Sequence, residues 1–372
     1  MKKPLVIIGS GHAGYTLARA FRQHDTTTPV VVLTEDGGEY YPKPQLSHGF
    51  GHQASVEQLV QNSATGMAAE LKIMVRPHTR VSAIDFAAQK VSAGEAQIPY
   101  SNLVLAVGAE PFVPPIDGDG AQDILTLNNL EQYRRYLDKL NQSERVLVIG
   151  GGLIGTEIAH DISLYKQVTL VDPGTRLLER LVPEVVSQRL HSAIGSVTLH
   201  LGTEVKQVNR AARGYLVTLA GGETLAVDAV VCAAGLKPRL GLATGLKTGR
   251  GIVVDAYLRT SAPHVYALGD CAEIEGQILP FLQPITLSAN ALAKTLAGDL
   301  TAVRFGPLPV AVKTPRYPIQ LAGVTQGNTL DWQISEGEDG LTALAHHGNQ
   351  LVGYVTTGTR NGFSLLPQLV RR

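Results

Sequence analysis

The stretch RVLVIGGGLIGTEIAHDI, residues 145–162, begins with an apolar run, passes through closely spaced glycines and ends with the pattern of a helix. An earlier stretch, PLVIIGSGHAGYTLARAF at residues 4–21, has the same order. In both, an apolar run followed by G-x-G-x-x-G predicts a strand buried on both faces, a tight turn and a helix. A further apolar run follows each stretch, at Val30–Leu33 and Val168–Val171, so each predicts a βαβ unit.

Both predicted units also end in the same way. LVLAVGAEPFVPP closes the first unit and AVVCAAGLKPRLG closes the second, each as an apolar strand that runs into Ala-x-Gly-x-x-Pro. The motif residues are Ala106, Gly108 and Pro111 in the first exit and Ala233, Gly235 and Pro238 in the second. A shared order of glycine loop, strand and exit indicates a duplicated domain.

The first loop has the composition of a dinucleotide-binding turn. Its glycines permit a tight turn, close approach of the backbone to phosphate, and close packing of helix on strand, while the helix N-terminus favours a pyrophosphate. Glu35 and Asp36 follow at the distance that reaches an adenosine ribose, and the spacing does not choose between them. The predicted contacts of the loop are Gly9, Ser10, Gly11, His12, Ala13 and Gly14.

The second loop repeats the pattern with Gly150, Gly152 and Gly155, and Asp172 ends the next strand. A carboxylate at that position accepts from a ribose 2′-hydroxyl and repels a 2′-phosphate, which favours NADH over NADPH. Arg176 and Arg180 lie nearby in the sequence, so NADPH stays an alternative to NADH. Two loops imply two dinucleotides, and the economical pairing is FAD in the first loop and NADH in the second, with hydride passing between them.

The predicted fold class is α/β, with two Rossmann-like dinucleotide-binding domains and a small C-terminal α+β domain. The shared exits indicate that the NADH domain is inserted in a discontinuous FAD domain, which the chain leaves near Gly108 and rejoins near Gly245. The last segment alternates β-prone runs with turns and predicts a small antiparallel sheet. The expected boundaries are 1–110 and 244–304 for the FAD domain, 111–243 for the NADH domain and 305–372 for the C-terminal domain.

Composition excludes several classes of partner. Lys plus Arg equals Asp plus Glu, at 32 each of 372 residues, without a run of like charge, so nucleic acid is an unexpected partner. No apolar run approaches the ~20 residues of a membrane helix, and the N-terminal run ends at Gly9, before a signal peptide could form. A cytoplasmic protein without a membrane partner is expected. The two cysteines have no metal-ligand spacing, and no metal is expected.

Residues 260–273, TSAPHVYALGDCAE, add a third motif. They resemble the second FAD-binding motif of the flavoprotein disulfide-reductase-like enzymes that bind two dinucleotides. With both glycine loops and both exits, the resemblance covers about residues 4–300. It implies that Asp270 is a ligand of the FAD ribityl chain and that Gly269 gives it room. Ala106, Gly108 and Gly235 of the exits are included among the implied dinucleotide contacts.

The segment that carries redox-active thiols in many of these enzymes lacks cysteine here. Disulfide reductases place a CxxC or CxxxxC pair against the flavin, and other members place a single cysteine after the second strand. The corresponding segment is YYPKPQLSHGF, residues 40–50. No thiol relay is therefore expected, and Cys271 and Cys232 are predicted to be buried packing residues.

That segment resembles instead the Y-x-K/R-P-x-L-S signature of ferredoxin-reductase-like and rubredoxin-reductase enzymes. LPFLQPI at 279–285 and VAVKTPRYPIQLAG at 310–323 are similar to bacterial rubredoxin reductases and the related NADH:flavorubredoxin reductases. His48 stands where ferredoxin reductases carry a lysine, which weakens the likeness to that subgroup. The resemblance implies that Lys43, Val81, Leu282 and Lys313 contact FAD and that Glu157 faces flavin and nicotinamide. Stabilisation of the first turn of the helix by the helix dipole is an additional explanation for an acidic residue at position 157.

The resemblance implies an oxidoreductase that passes electrons from NADH through FAD to rubredoxin or to the rubredoxin domain of a flavorubredoxin. A flavin is needed because hydride carries two electrons and one iron site accepts one. No side chain is expected to act as a catalytic acid or base. The alternatives are reduction of ferredoxin, a quinone or another small acceptor by the same NADH–FAD core, and a flavin-binding protein whose redox state sets its interactions.

Overall fold

A computed structural model describes residues 2–327 and 329–369 of the chain. The strands of this part are β1 (Leu5–Ile8), β2 (Val30–Leu33), β3 (Met74–Arg76), β4 (Ala83–Asp85), β5 (Lys90–Ala93), β6 (Ala96–Pro99), β7 (Asn102–Leu105), β8 (Ala109–Pro111), β9 (Arg145–Ile149), β10 (Gln167–Asp172), β11 (Val197–Leu201), β12 (Val205–Arg210), β13 (Tyr215–Leu219), β14 (Thr224–Val227), β15 (Ala229–Cys232), β16 (Leu236–Pro238), β17 (Ile252–Val254), β18 (Val265–Ala267), β19 (Ala272–Ile274), β20 (Val310–Val312), β21 (Ile319–Gly323), β22 (Asp331–Gly337), β23 (Gly340–His347) and β24 (Gln350–Thr357).

Helices connect many of these strands. The α-helices are α1 (His12–Arg22), α2 (Val56–Leu59), α3 (Ala64–Leu71), α4 (Leu130–Asn141), α5 (Leu153–Ile162), α6 (Glu184–Ala193) and α7 (Leu282–Leu296). Short 3-10 helices lie at Lys43–His48, Ala121–Asp123 and Gly362–Gln368. The helices predicted after the two glycine loops are therefore present as α1 and α5.

The chain divides into two compact units. The first unit comprises residues 1–43, 57–110 and 237–305, and the second comprises 44–56, 111–236 and 306–372. This division differs from the expected domain boundaries in three respects. Residues 44–56 group with the second unit, the first unit resumes at Lys237, before the expected return near 244, and the segment that begins at Gly306 groups with 111–236. A separate C-terminal domain therefore remains a prediction, and its last residues, 370–372, lie outside the described part of the chain.

The first unit contains a five-stranded sheet in the order β18-β7-β1-β2-β3, with every pair parallel. β1 lies at its centre, where Leu5 pairs with Val30 of β2 on one side and with Asn102 of β7 on the other. All four residues of β1 are buried, as are those of β2. Their continuous apolar sequence fits a strand that is covered on both faces. Helices α1 and α7 pack against each other beside this sheet.

The second unit repeats this arrangement in a parallel sheet of order β11-β10-β9-β15. β9 lies between β10 and β15, just as β1 lies between β2 and β7. The strand before each glycine loop is therefore flanked by the next strand of its unit and by the strand of the Ala-x-Gly exit. This shared pairing confirms the two Rossmann-like units predicted from the sequence.

The smaller sheets are mostly antiparallel. β4, β5 and β6 form one in the first unit, and β12, β13 and β14 form another in the second. Residues 306–369 contain an antiparallel sheet of order β20-β21-β24-β23-β22, as the alternating pattern predicted. In the described part of this segment the sheet is accompanied by the 3-10 helix at Gly362–Gln368.

Candidate dinucleotide-binding sites

The first glycine loop joins β1 to α1 and uses each glycine differently. Gly9 has φ +113°, and a side chain there would also collide with the carbonyl of Ala106. A side chain at Gly14 would collide with the carbonyl of Gly9. At Gly11, by contrast, an added Cβ has no neighbour within 4 Å. The tight turn and the close helix packing therefore need two of the glycines, and the third faces open space.

The second loop, between β9 and α5, has the same geometry. Gly150 has φ +112°, and a Cβ there would lie 2.6 Å from the carbonyl oxygen of Ala233. A Cβ at Gly155 would collide with the carbonyl of Gly150, whereas one at Gly152 has no neighbour within 4 Å. The two loops are thus duplicates in their steric detail and not only in sequence.

Both helices begin without a side-chain cap. Gly11 and Gly152 occupy the N-cap positions of α1 and α5, and neither helix has an acidic residue in its first turn. The first backbone N–H groups of a helix have no partner within the helix, and the helix dipole favours an anion beside them. Each loop therefore presents uncapped donors next to an open glycine, which is the arrangement that accepts a pyrophosphate.

The two carboxylates after β2 have different surroundings. Oδ1 of Asp36 accepts from the hydroxyls of Thr34, at 2.5 Å, and Ser10, at 3.2 Å, so this side chain ties the loop to β2. Oε1 of Glu35 accepts from Nη1 of Arg239 at 2.5 Å, and both carboxylates are exposed. Asp36 is therefore tied to the loop and Glu35 to Arg239, and which of them faces a ribose stays a prediction.

A cluster of opposite charges lies in the first unit beside the loop. Asp270 follows Gly269, which has φ +82°, and interacts electrostatically with Lys43 and His12. Burial raises the pKa of Asp270, while the two basic side chains oppose that shift. Burial lowers the pKa of Lys43 and of His12, and Asp270 opposes both shifts. The structure thus brings together three of the residues that the sequence assigned to FAD.

The remaining predicted contacts of the first unit fall into two groups. Ser10, Ala13, Val81 and Ala106 are buried. Gly108 has φ +68° with no neighbour within 4 Å of an added Cβ, and Leu282 is an exposed residue at the start of α7. Gly108 therefore leaves room for close approach to its backbone.

Asp172 ends β10 and braces the second loop. Its Oδ2 accepts from the N–H of Gly151 at 2.6 Å, and its Oδ1 accepts from that of Gly174 at 2.7 Å. Each carboxylate oxygen keeps a lone pair for a further donor, such as a ribose hydroxyl. Gly235, in the second exit, has φ +125° and no neighbour within 4 Å of an added Cβ.

The arginines near Asp172 differ in orientation. Nη1 of Arg176 donates to the carbonyl of Val182 at 2.7 Å and lies 3.3 Å from the hydroxyl of Ser187. Arg180 is exposed. Arg176 is therefore held by contacts within its own unit, and the preference for NADH stays a prediction.

Glu157 lies on α5 and is buried, with 3% of its surface exposed. Oε2 accepts from the hydroxyl of Ser47 at 2.8 Å, and Oε1 accepts from the backbone N–H of Lys313 at 2.8 Å. Burial raises its pKa, and both hydrogen bonds oppose the shift. Because α5 begins at Leu153, Glu157 follows the first turn, so the predicted stabilisation of that turn by the helix dipole is wrong.

Asp161 is a buried acid that sequence reasoning missed. It lies one turn after Glu157 on α5, is 5% exposed, and accepts from the N–H of Gly51 at 2.8 Å. Burial raises its pKa to about 7, and the charge of Glu157 adds to the shift. The signal in the sequence was the i, i+4 spacing of Glu157 and Asp161, which places both acids on one face of α5.

The side chain of Lys313 is exposed and reaches the 3-10 helix at Lys43–His48. Its Nζ lies 3.3 Å from Nε2 of His48 and donates to the carbonyl of Pro44 at 3.3 Å. Burial and the neighbouring Lys313 lower the pKa of His48 to about 4, so His48 is neutral at pH 7. Within the second unit, the structure therefore joins Lys313 to Glu157 through its backbone and to His48 through its side chain.

Comparison with protein families decides the class of the chain. Residues 3–293 match the family described as pyridine nucleotide-disulphide oxidoreductase. The chain belongs to this family. Residues 302–369 match a second description, the rubredoxin binding C-terminal domain. This oxidoreductase thus carries both glycine loops in its family region and the antiparallel sheet in the segment that follows.

Relatives of this oxidoreductase are similar over nearly their whole length. A protein of Aliivibrio fischeri named Nitric oxide reductase FlRd-NAD(+) reductase is 47% identical over 377 residues, covering 99% of both chains. A protein of Alcanivorax borkumensis named Rubredoxin-NAD(+) reductase is 40% identical over 362 residues, covering 95% of both chains. A solved ferredoxin reductase for the CYP199A2 system from Rhodopseudomonas palustris is 25% identical with a TM-score of 0.90, covering 100% of this chain and 96% of that one. These similarities confirm the predicted resemblance to rubredoxin and flavorubredoxin reductases.

Both cysteines of this oxidoreductase are buried. Cys271 is 0% exposed, its thiol donates to the carbonyls of Leu105 and Leu268 at 3.4 Å, and burial raises its pKa to about 11. Burial also raises the pKa of Cys232. A thiolate is the reactive form of cysteine, so neither residue is suited to redox exchange. The prediction that both are packing residues is confirmed.

Residues 2–327 and 329–369 contain no helix that is both long enough and apolar enough to cross a membrane. No group of three or more His, Cys, Asp and Glu side chains in that part is arranged to hold a metal ion.

Proposed function

We propose that this oxidoreductase acts in the cytoplasm and transfers electrons from NADH through FAD to rubredoxin or to the rubredoxin domain of a flavorubredoxin. The observation that carries the proposal is the match of residues 302–369 to a rubredoxin-binding domain, on a chain that also has two dinucleotide loops of one geometry. The names of the two relatives support the same acceptor.

The residues of the first unit fit FAD. The open positions at Gly11 and Gly108 leave space for a pyrophosphate and for backbone contact, and α1 begins with uncapped donors. Glu35 would accept from the adenosine ribose, and Asp270 from the ribityl hydroxyls. Lys43, whose charge faces Asp270, would supply a cation beside the cofactor. These roles use the chemistry of each group: carboxylates accept from hydroxyls, and an ammonium stabilises phosphate or an anionic ring.

The residues of the second unit fit NADH. Gly152 and the uncapped start of α5 would receive its pyrophosphate, and Asp172 would accept from the adenosine ribose. Because Asp172 is already oriented by two backbone donors, its carboxylate is held in place before NADH binds. A fixed negative charge there repels the 2′-phosphate of NADPH.

When bound, FAD would supply the chemistry that neither NADH nor an iron site has alone, because it accepts two electrons as hydride and releases them singly. The protein holds Glu157 in one orientation through the hydroxyl of Ser47 and the backbone of Lys313. By its resemblance to related enzymes, Glu157 would face the flavin and the nicotinamide. Buried Asp161 would support it by anchoring the turn after Ser47 through the N–H of Gly51.

The experiment that tests this function measures NADH oxidation by the purified, FAD-loaded protein with several acceptors. The acceptors are a rubredoxin, the isolated rubredoxin domain of a flavorubredoxin, a ferredoxin and a quinone. We expect kcat/KM to be highest for one of the two rubredoxin acceptors. A higher value for ferredoxin or quinone would make the protein a reductase of that acceptor, and slow turnover with all four would favour a redox-regulated interaction protein.

A further inference from the structure

Arg239 follows the second exit motif and is not part of any motif that marks a dinucleotide site. Its backbone N–H donates to the carbonyl of Gly108 at 3.1 Å, and its Nη1 donates to Oε1 of Glu35 at 2.5 Å. Both partners belong to the proposed FAD site. Although the sequence separates Arg239 from Glu35 by 204 residues, the fold of the first unit places them together.

One donor of this side chain has no partner. Nε of Arg239 is buried and makes no hydrogen bond within the described part of the chain. Buried donors in folded proteins nearly always have a partner, because leaving one unpaired costs free energy. A guanidinium that is fixed through Nη1 and keeps a buried, unused donor is suited to a ligand with acceptor oxygens.

The charges around Arg239 point to the same class of ligand. Arg239 is one cause of the lowered pKa of Lys43, so two cationic groups lie close to each other. Glu35 compensates Arg239 directly, and Asp270 faces Lys43. Two neighbouring cations repel each other, and an anion that reaches both would relieve that repulsion.

We propose that Arg239 binds the diphosphate of FAD. The proposal rests on the FAD site proposed above and adds to it a residue from outside the glycine loop. Arginine suits this role because its planar guanidinium presents several donors and binds phosphate oxygens as a fork. One edge of the fork bonds to Glu35, which would hold the adenosine ribose, and the buried Nε is the donor assigned to the diphosphate.

The test compares FAD retention by the wild-type protein with retention by Arg239→Gln and Arg239→Lys. Each purified holoprotein is diluted and ultrafiltered, and the free FAD gives the Kd. ADP and adenosine are then added as competitors, and the FAD that each displaces gives its affinity. A charge-assisted bond to phosphate corresponds to about a 10- to 100-fold change in affinity.

We expect Arg239→Gln to weaken FAD and ADP by that factor while adenosine competes as well as with the wild type. Arg239→Lys keeps the charge without the fork and should recover part of the loss. Arg250→Gln is the matched control, because Arg250 is an exposed arginine of the same unit that donates to the carbonyl of Gly276. It should leave all three affinities unchanged.

Three results would overturn the assignment. The first is an unchanged Kd for FAD in Arg239→Gln. The second is an equal loss of ADP and adenosine, which would show that Arg239 acts only through Glu35. The third applies if Arg239→Gln fails to fold, as judged by circular dichroism: a folded Arg239→Lys with wild-type affinity for both FAD and ADP would then rule out the fork. A wild-type protein that retains no FAD would instead contradict the proposed function itself.

Discussion

Gly152→Ala should weaken NADH binding without affecting the fold or the retention of FAD. Gly152 has φ −76° and ψ −170°, an extended conformation that alanine adopts without strain. An added Cβ meets no protein atom within 4 Å, so the methyl group enters only the space proposed for the pyrophosphate. Inserting a methyl group into a close contact costs about 1–3 kcal/mol, which corresponds to about a 5- to 150-fold loss of affinity.

Gly11→Ala is the matched variant in the other loop. Gly11 has φ −67° and ψ −172° and also has no neighbour within 4 Å of an added Cβ. It should lower the retention of FAD by a similar factor, while the KM for NADH of the molecules that keep FAD stays unchanged. If each loop holds the dinucleotide assigned to it, Gly152→Ala therefore changes only NADH binding and Gly11→Ala changes only FAD retention.

The assay measures the KM for NADH, the FAD content of the purified protein and the melting temperature. Gly152→Ala should raise the KM alone, and Gly11→Ala should lower the FAD content. Loss of FAD from Gly152→Ala with an unchanged KM for NADH would refute the assignment of the loops. A large drop in melting temperature for Gly152→Ala would refute the steric reasoning.

Four further perturbations have defined outcomes. Burial raises the pKa of Asp161 from 3.8 to about 7, so the folded protein holds that proton more tightly and its stability falls as pH rises between those values. Between pH 5 and pH 8 the free energy of unfolding of the wild type should fall by about 3 kcal/mol, as measured by urea titration. Asp161→Asn should not show this fall, because its amide does not titrate. Cys271→Ala should keep its FAD and its kcat; loss of turnover with intact FAD would restore a role for the thiol. Asp172→Asn should lower the NADH-to-NADPH ratio of kcat/KM by about tenfold, whereas an unchanged ratio would remove Asp172 from discrimination. Reduction of an acidic rubredoxin should slow as ionic strength rises, with a neutral quinone as control, because Lys313 and Arg316 are exposed cations of the second unit.

The sequence carries much of this fold because its decisive features are local. Gly9 and Gly150 adopt positive φ, and Gly14 and Gly155 have no space for a side chain. The glycines that each loop requires therefore lie within six consecutive positions of the sequence. The continuous apolar strands before each loop follow from burial on both faces of a parallel sheet. The exit motifs then identify the strand that completes each unit.

What the sequence did not reveal depends on contacts between distant residues. Nothing near Asp161 indicates that its carboxylate accepts from Gly51, 110 residues away. The different surroundings of Glu35 and Asp36 depend on Arg239, 204 residues from Glu35, and on Ser10, 26 residues from Asp36. The grouping of residues 44–56 with the second unit is likewise a property of tertiary packing.

Electron stoichiometry tests the central claim most directly. The FAD-loaded protein is mixed without oxygen with a limiting amount of NADH and an excess of oxidised rubredoxin domain, and the loss of the iron(III) absorption is recorded. Because hydride carries two electrons and each iron site accepts one, two rubredoxin domains should be reduced for every NADH consumed. NADH consumption without loss of the iron(III) absorption would contradict the account.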